Sequence, residues 1–160
     1  MTKIKVGFGF DVHPLKENHP FILGGVNIEH HVGAFGHSDA DVLIHAICDA
    51  ILGAAGLRDI GYYFANTDNR WKGISSLILL KECINMIEEK DWKIGNIDAM
   101  VCLEAPKINP HVMVMRENIA RTCSINIEDI SIKATTNEKM GFIGREEGVV
   151  AYAVCLITKS

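Results

Sequence analysis

The sequence predicts an α/β (α+β) sandwich in which one sheet of mostly four strands is covered on one face by about three helices. Apolar runs with strand-like alternation are separated by segments whose apolar residues recur at helical spacing. Strands and helices that alternate along a chain in this way pack as a sheet with a helical layer. The 160 residues, 48% of them hydrophobic, suit a single domain over residues 1–160.

The first part of the chain predicts two strand regions and one long helix. A strand covers about residues 3–12, and a second one at 21–28 is interrupted by a Gly-Gly turn. A mixed segment follows, to which we assign no strand. Ser38 and Asp41 form an S-x-x-D start signal, and helical spacing continues until Gly56.

The remaining elements follow the same alternation. The segment "DIGYYFANTDNRWKG" fits neither period and predicts a long loop that covers a ligand. After it we expect a helix at 75–90 capped by Ser75 or Ser76, followed by a strand in "IGNIDAMVCLEA". A third helix is opened by Asn109 and Pro110 and ends near Cys123. The chain then continues with a strand in "DISIKATT", a turn-rich segment "NEKMGFIGREEG" and a closing strand in "VVAYAVCLIT".

Composition excludes several classes of partner. The net charge of −4 lacks the basic excess that binding to a nucleic-acid backbone needs. No apolar run reaches membrane-spanning length, and no signal or transit segment is recognised, so we expect a soluble protein. The start at Met1 favours a bacterial cytoplasm over a mature plastid protein. An odd number of scattered cysteines indicates reduced core residues: Cys48, Cys83, Cys102, Cys123 and Cys155.

One constellation has metal-ligand spacing. Asp11 and His13, in "GFGFDVHPL", point to one face of the first strand. His45 lies between Asp41 and Asp49 in a polar stripe on the predicted helix. One Asp and two His would leave a fourth tetrahedral position open, which is the pattern of a catalytic zinc site. Spacing alone leaves this undecided, because D-x-H is short and common. We expect solvated or capping roles for His19, His30, His31 and His111.

Longer motifs bear a resemblance to a known family. The blocks "GFDVH", "GHSDADVLIHAICDAILGAAGLRDIG", "APK", "NPHVMVMRENIA" and "IKATTNEKMGFIGREEG" together resemble the 2-C-methyl-D-erythritol 2,4-cyclodiphosphate synthases, in order and spacing, over nearly the whole chain. The resemblance implies a step of non-mevalonate isoprenoid synthesis. In that step 4-diphosphocytidyl-2-C-methyl-D-erythritol 2-phosphate cyclises and releases CMP.

The resemblance also implies roles for individual residues. Asp11, His13 and His45 match zinc ligands, and Glu138 matches a ligand of a second divalent cation, Mg²⁺ or Mn²⁺. His37 and Thr136 match groups that stabilise the transition state. The cytidine pocket is formed by the segment from Leu103 to Asn109, including Lys107 and Ile108, together with Ala134, Thr135 and Thr136. Residues that match the pocket for the methylerythritol part of the substrate are Ser38, Asp59, Gly61, Phe64 and Asp68.

Two of these assignments have alternatives. By spacing alone, Lys107 is interpreted as a solvated lysine beside a proline. Only its "APK" context favours the alternative, in which Lys107 contacts the substrate phosphates. Asp49 is a candidate acceptor for the second nitrogen of a zinc-bound histidine. A salt bridge on the helix face explains Asp49 equally well.

The resemblance further implies a homotrimer with each active site between neighbouring subunits. Phe10, Phe142 and Arg145 match residues around a central cavity that accepts an isoprenoid diphosphate, although core packing at the trimer axis would place the two phenylalanines there as well. The chain departs from the family at Ala65 and Asn66, where "FANTD" replaces "FPDTD". Phe8 and Asn137 are further departures, at positions where His and Thr are usual, and none of the four is a metal ligand.

Two other functions fit parts of the pattern. A metal-dependent phosphoesterase would use the same Asp and His ligands but direct water at phosphorus. A nucleotide- or isoprenoid-binding trimer without catalysis would need the pockets but not the metal ligands. The presence of Asp11, His13, His45 and Glu138 together favours the cyclising enzyme.

Overall fold

The computed structural model describes residues 2–159, and these form a mixed α/β fold. The strands are β1 (Lys3–Glu17), β2 (Phe21–Leu23), β3 (Val26–Ile28), β4 (Val32–Ala34), β5 (Lys93–Cys102), β6 (Ile130–Thr135) and β7 (Gly148–Lys159). The α-helices are α1 (Val42–Ala55), α2 (Ile60–Tyr63), α3 (Ser76–Glu88), α4 (Val112–Cys123) and α5 (Gly141–Gly144). Short 3₁₀ turns cover Asn69–Trp71, Asn109–His111 and Ile127–Asp129.

Over the described residues the main sheet has five strands, in the order β4-β1-β7-β5-β6. β5 and β6 are parallel, and the other neighbours are antiparallel. The long central ribbon pairs Lys3 with Lys159 at one end and Pro14 with Gly148 at the other. The predicted sheet of four strands therefore gains β4, which pairs with residues 15–17 of β1. Three residues are too few to show a hydrophobic period, so the sequence did not indicate this strand.

Other differences concern the ends of elements. β1 continues beyond the predicted residue 12 to Glu17, since its last residues pair with β4. The predicted loop after α1 contains α2 and a 3₁₀ turn, and the turn-rich segment before β7 contains α5. The third long helix begins at Val112, after a 3₁₀ turn that contains Pro110. The Gly24–Gly25 turn between β2 and β3 is as predicted, with positive φ at both glycines.

Helix α1 lies unusually close to β1. A Cβ atom on Gly7 or Gly9 would overlap the main-chain carbonyl oxygens of Ala50 and Ala46 respectively. Glycine at these two positions therefore lets the helix backbone rest directly on the strand. The contact fixes His45 above the end of β1.

The start of α1 differs from the predicted capping pattern. Asp41, not Ser38, is the N-cap, and its carboxylate accepts hydrogen bonds from the backbone N–H of Ile44 (3.1 Å) and of Gly25 (2.7 Å). The first of these bonds satisfies a helix N-terminal amide, and the second ties the β2–β3 turn to the helix. The helix ends at Gly56 as predicted, with a left-handed C-cap.

The sheet has two faces of different character. Helices α1, α3 and α4 pack on one face and enclose the main hydrophobic core. The opposite face of β1 and β7 carries large apolar side chains that are exposed in the single chain: Ile4, Val6, Phe8, Phe10, Tyr152 and Val154. Phe8 and Val154 are cross-strand partners, as are Phe10 and Tyr152.

None of the helices between residues 2 and 159 combines the length and apolar character needed to cross a bilayer.

Candidate functional site

Asp11, His13 and His45 meet where β1 passes under α1. The Oδ2 atom of Asp11 lies 3.0 Å from Nε2 of His13 and 3.0 Å from Nδ1 of His45. The two histidine nitrogens are 3.1 Å apart. The predicted triad is thus assembled: the alternation of β1 puts Asp11 and His13 on the helix-facing side, and α1 supplies His45.

The donor set fits a divalent metal ion. Ligands about 2.0–2.1 Å from a tetrahedral zinc ion are separated by about 3.3 Å, close to the spacing of the three donor atoms here. One carboxylate and two imidazoles are a common ligand set for zinc. Three protein ligands leave one tetrahedral position for another molecule, so the arrangement suits a catalytic ion better than a structural one.

The second nitrogen of His45 is held by two serines. His45 Nε2 lies 2.8 Å from Ser76 Oγ and 3.0 Å from Ser38 Oγ. The Ser76 hydroxyl donates in turn to the Asp39 carboxylate, which also accepts the backbone N–H of Ser76 at 2.9 Å. With the Ser76 proton directed at Asp39, its oxygen accepts the proton of His45 Nε2, so loss of the proton on Nδ1 would free that nitrogen to bind a cation beside Asp11.

The protonation of the triad follows from its contacts. Burial raises the pKa of Asp11. Hydrogen bonds from His13 and His45 lower that pKa by more than burial raises it, and the resulting value is about 2. Burial lowers the pKa of His45, whereas the hydrogen bond and charge of Asp11 raise it, and the net direction is upward. Asp11 is therefore a carboxylate at neutral pH, the form that binds a cation.

A cavity of about 440 Å³ opens beside the triad. Besides the three triad residues, its lining includes His37, Ser38, Gly61, Phe64, Ala65 and Asn66. A Cβ on Gly36 would come within 2.8 Å of the His13 ring, so a glycine is needed at that wall. Ser38, Gly61 and Phe64, which the sequence suggested for the methylerythritol pocket, line this cavity. Its wall also includes Ala65 and Asn66, the two positions at which "FANTD" departs from the family.

His37 and Asp68 are neighbours, but through the main chain. The Nε2 atom of His37 lies 3.0 Å from the carbonyl oxygen of Asp68. The Asp68 carboxylate instead accepts two hydrogen bonds from the Arg70 guanidinium, at 2.8 and 2.6 Å. These bonds lower the pKa of Asp68 and direct its carboxylate toward Arg70.

Two other aspartates accept hydrogen bonds from backbone N–H groups of the short helix α2. Asp59 is the N-cap of α2 and accepts the N–H of Tyr62 at 3.0 Å. Asp49 accepts the N–H of Ile60 at 2.7 Å. The structure thus gives Asp49 a partner other than the histidine or the salt bridge considered from the sequence. The acceptor for His45 is Ser76, which lies 31 positions away in the chain.

A second cavity, of about 500 Å³, lies between the end of β5 and the end of β6. Its lining includes the residues that the sequence assigned to the cytidine pocket, namely Leu103, Lys107, Ile108, Ala134, Thr135 and Thr136. The parallel pairing of β5 and β6 brings these two segments together, and Leu103 N–H donates to the Thr135 carbonyl at 3.0 Å. Among the described residues, the linings of this cavity and of the metal-side cavity share no member.

Thr136 and Glu138 lie in the loop that follows β6. The Thr136 hydroxyl donates to the Glu138 carboxylate at 3.1 Å, and both residues are exposed. Glu138 and Lys139 have φ values of 51° and 63°.

Glu104 is a third residue of this region, and the sequence analysis did not predict it. Its carboxylate accepts the N–H groups of Asn137 (2.9 Å) and Lys139 (3.1 Å). Its only signal was a carboxylate at the end of the apolar "VCL" run.

Two further groups of polar residues lie outside these cavities. Arg145 is exposed and forms a two-point pair with Glu147, with both distances at 2.9 Å. His30, His31 and Glu146 have potential ligand atoms within 4.8 Å of one another. Nε2 of His30 is buried and has no hydrogen-bond partner in the described part of the chain, which differs from the solvated or capping role expected for this residue.

Comparisons with known proteins agree with this geometry. The YgbB family model matches residues 4–158. The 2-C-methyl-D-erythritol 2,4-cyclodiphosphate synthase of Cytophaga hutchinsonii is 65% identical over 157 residues, with 98% of this chain and 99% of the relative covered. The enzyme of the same name from Bacteroides thetaiotaomicron is 56% identical over 157 residues, with the same shares covered.

Solved structures show the same fold. A 2C-methyl-D-erythritol-2,4-cyclodiphosphate synthase in a CDP-bound form superposes with a TM-score of 0.88 at 35% identity, covering 96% of this chain and 99% of the other. The bifunctional IspDF of Campylobacter jejuni gives a TM-score of 0.96 at 42% identity, where this chain spans 43% of the longer protein. On the family match, the near-full-length relatives and the shared fold, this chain belongs to the YgbB family.

Proposed function

We propose that this protein is a 2-C-methyl-D-erythritol 2,4-cyclodiphosphate synthase. It cyclises 4-diphosphocytidyl-2-C-methyl-D-erythritol 2-phosphate and releases CMP. The observation that carries the proposal is the Asp11–His13–His45 triad, with three donor atoms 3.0–3.1 Å apart, in a chain whose near-full-length relatives bear this enzyme name. The activity is that of a phosphorus–oxygen lyase.

In the reaction an oxygen of the 2-phosphate attacks the β-phosphorus of the diphosphate, and the bond from that phosphorus to the CMP oxygen breaks. Both reacting groups are anionic, so repulsion between them is the main obstacle. Asp11, His13 and His45 would hold Zn²⁺, and Glu138 would bind the second ion, Mg²⁺ or Mn²⁺. Bound divalent ions supply neutralisation of phosphate oxygens and orientation of the nucleophile.

The protein's own groups bind and align the substrate. The cavity around Lys107, Ile108 and Ala134 has apolar walls and two lysines, Lys107 and the Asp98-paired Lys133, which suit a cytidine with an attached phosphate. Thr136 and His37 are the candidate groups for stabilising the charge that develops during transfer. His37 is oriented for this role by the Asp68 carbonyl, so we assign to Asp68 an indirect part in place of the predicted direct contact.

The methylerythritol part is proposed to bind in the metal-side cavity. Ser38, Gly61 and Phe64 line that cavity beside the triad. Asp59 contributes by capping α2, the helix that carries Gly61, since its carboxylate accepts the Tyr62 N–H. The resulting wall is polar near the ion and apolar at Phe64, as a hydroxylated carbon chain requires.

The proposed assembly is a homotrimer with active sites between subunits. Support comes from the exposed apolar face on β1 and β7, where Phe8 is 63% exposed and Phe10 is 45% exposed in the single chain. The separate linings of the two cavities also favour sites completed by a neighbouring chain. Phe10, Phe142 and Arg145 would then surround the trimer axis and accept an isoprenoid diphosphate.

We also propose that residues 1–160 form one catalytic domain that acts in the bacterial cytoplasm, with a plastid as the alternative. The family match over 4–158 supports the single domain. The five cysteines are free and buried, which suits a reducing compartment. Small-molecule substrate, metal ions and other copies of this chain are the proposed partners, and neither nucleic acid nor membrane is among them.

The test is product analysis by phosphorus NMR, using the zinc-loaded protein, the diphosphocytidyl substrate and magnesium. We expect CMP and a cyclic diphosphate in equal amounts. CMP with an acyclic product would mean that water reaches phosphorus and would identify a phosphoesterase. Absence of CMP from an intact, metal-loaded oligomer would favour a binding protein without catalysis.

A further inference from the structure

Glu104 lies two residues after β5, and the partners of its carboxylate all lie on one loop. Its side chain is 3% exposed. Oε1 accepts the backbone N–H groups of Asn137 at 2.9 Å and Lys139 at 3.1 Å, and Oε2 lies 3.1 Å from Lys139 Nζ. One carboxylate therefore meets two main-chain donors and one side-chain cation from a stretch of three residues.

The loop bound by Glu104 has a backbone conformation that needs support. Glu138 and Lys139 are consecutive residues in the left-handed region, with φ values of 51° and 63°. Residues other than glycine adopt this region at a cost in free energy, and two in succession are uncommon. Glu104 accepts the N–H groups on either side of Glu138, so it stabilises the turn at the point where the Glu138 side chain leaves it.

The other hydrogen bonds among residues 136–140 are local to the loop, and one of them, from the Met140 N–H to the Asn137 carbonyl at 2.9 Å, closes the turn. Thr136 Oγ1 lies 3.1 Å from the Glu138 carboxylate, and Asn137 Nδ2 lies 3.4 Å from the Met140 carbonyl. Glu138 and Lys139 are exposed to solvent in the single chain. Among the described hydrogen bonds, those to Glu104 are the ones that connect Asn137 and Lys139 to the segment after β5, which lines the proposed cytidine pocket.

We propose that Glu104 is a positioning residue that fixes the Glu138 loop in the conformation used to bind the second divalent cation. This inference rests on the proposed function, in which Glu138 is a ligand of that cation. Glu104 acts through the main chain of its neighbours rather than as a ligand. Its charge is already matched by Lys139 and two N–H donors, so it adds little net negative charge to a site that must accept phosphates.

The test compares Glu104→Leu, which removes both acceptors at similar volume, with Glu104→Gln, which retains one acceptor oxygen for the two N–H groups. Glu89→Gln on the surface after α3 is the matched control. Amide hydrogen exchange of residues 136–140, measured by mass spectrometry, reports the loop directly. The Mn²⁺ concentration that gives half-maximal activity, kcat, KM and zinc content report the site.

In Glu104→Leu we expect faster exchange at 136–140 and a rise of about 10–100-fold in half-saturating Mn²⁺, as when an outer partner of a metal ligand is lost. Zinc content is expected to stay at the wild-type level, because the triad lies in the other cavity. Glu104→Gln is expected to shift half-saturating Mn²⁺ by only about threefold, since it loses the charge-assisted part of the bonds. Glu89→Gln is expected to match wild type in every measurement.

Wild-type loop exchange and wild-type Mn²⁺ dependence in a folded Glu104→Leu protein would overturn the proposal. If that variant does not fold, Glu104→Gln decides: unchanged exchange and unchanged Mn²⁺ dependence overturn the proposal, and a shift in both supports it. The exchange measurement does not depend on turnover. A wild-type protein that forms no cyclic product therefore refutes the proposed function, whereas an active wild type with an insensitive loop refutes the role of Glu104.

Discussion

As a metal ligand, His45 would bind through Nδ1, which requires the proton to lie on its other ring nitrogen. The residues that hold that proton would then orient the ligand. Ser76 is fully buried and lies 2.8 Å from Nε2 of His45. Its own hydroxyl is engaged by Asp39. The chain His45–Ser76–Asp39 therefore fixes both the tautomer and the ring angle of the ligand.

Substituting Ser76 by Ala is expected to weaken zinc binding by about 10–100-fold, the usual effect of losing the partner of a metal-bound histidine. Ser75→Ala is the matched control, because Ser75 is exposed and its side chain makes no capping bond. Competition with a fluorescent zinc chelator measures both. Equal affinities in the two variants would show that the Ser76 hydroxyl does not orient His45.

Asp41 gives the stability of the protein a specific pH dependence. Burial raises the pKa of this N-cap carboxyl from 3.8 to about 6, against the lowering effect of its hydrogen bonds from Gly25 and other main-chain donors. Between pH 4 and 6 the folded protein thus binds a proton that the unfolded chain has released. Stability from this group is present below pH 4 and is lost as the pH rises through 6, by about 3 kcal/mol in total.

The Asp41→Asn variant lacks that titration. It is expected to be less stable than wild type at every pH, because one amide oxygen cannot accept from both Gly25 and Ile44. The difference between wild type and variant is expected to grow by about 2 kcal/mol from pH 7 to pH 4. Urea unfolding at fixed protein and metal concentration measures it. Parallel pH profiles would contradict the assignment.

The sequence predicts the positions of some site residues and not of others. Asp11 and His13 could be paired because strand alternation places positions two apart on one face. Ser76 and Glu104 could not, because each acts across a contact between elements distant in the chain. Asp49 illustrates the same limit: its helical spacing from His45 was visible, but its actual partner is an amide of α2.

At the scale of elements, the close contact of α1 with β1 determines where the three candidate metal ligands meet. Gly9→Ala is expected to destabilise the fold by about 1–3 kcal/mol or more, since the added Cβ overlaps the carbonyl of Ala46 and the helix must shift. Zinc affinity is expected to fall with it, because His45 moves with the helix. Thermal unfolding and zinc titration measure the two effects.

Gly53 provides the control within the same helix. A Cβ there would meet only the Phe8 carbonyl oxygen, at 3.9 Å, and the position is exposed. Gly53→Ala is therefore expected to stabilise the protein by about 0.5–1 kcal/mol, through the better helix propensity of alanine. Destabilisation by both substitutions would show that close backbone contact at Gly9 is not the specific cause of the loss of stability.

Long elements were predictable and short ones were not, for a physical reason. β7 and α1 repeat their apolar pattern often enough for the period to be read, and Gly56 marks the helix end. β4 and α5 have three and four residues and exist because neighbouring strands and turns supply their partners. Ser38 shows how a local signal is overridden: its hydroxyl faces His45 rather than the helix terminus.

At the scale of the whole molecule, the single chain leaves two features incomplete. One is the apolar face of β1 and β7, which would remain in water unless other copies cover it. The other is the separation of the triad cavity from the β5–β6 cavity. The proposed closed ring of identical subunits would resolve both, if the same contact buried each face and brought one chain's triad to its neighbour's β5–β6 cavity.

Subunit mixing tests this arrangement directly. His13→Ala removes a metal ligand, and Ala134→Trp fills the β5–β6 cavity, so each variant alone is expected to be inactive. If every site joins the triad of one chain to the pocket of the next, random co-assembly in equal amounts is expected to restore about a quarter of wild-type activity, since each half is intact with a probability of about one half. Sites contained within one chain would regain no activity on mixing, because every chain carries one of the two lesions.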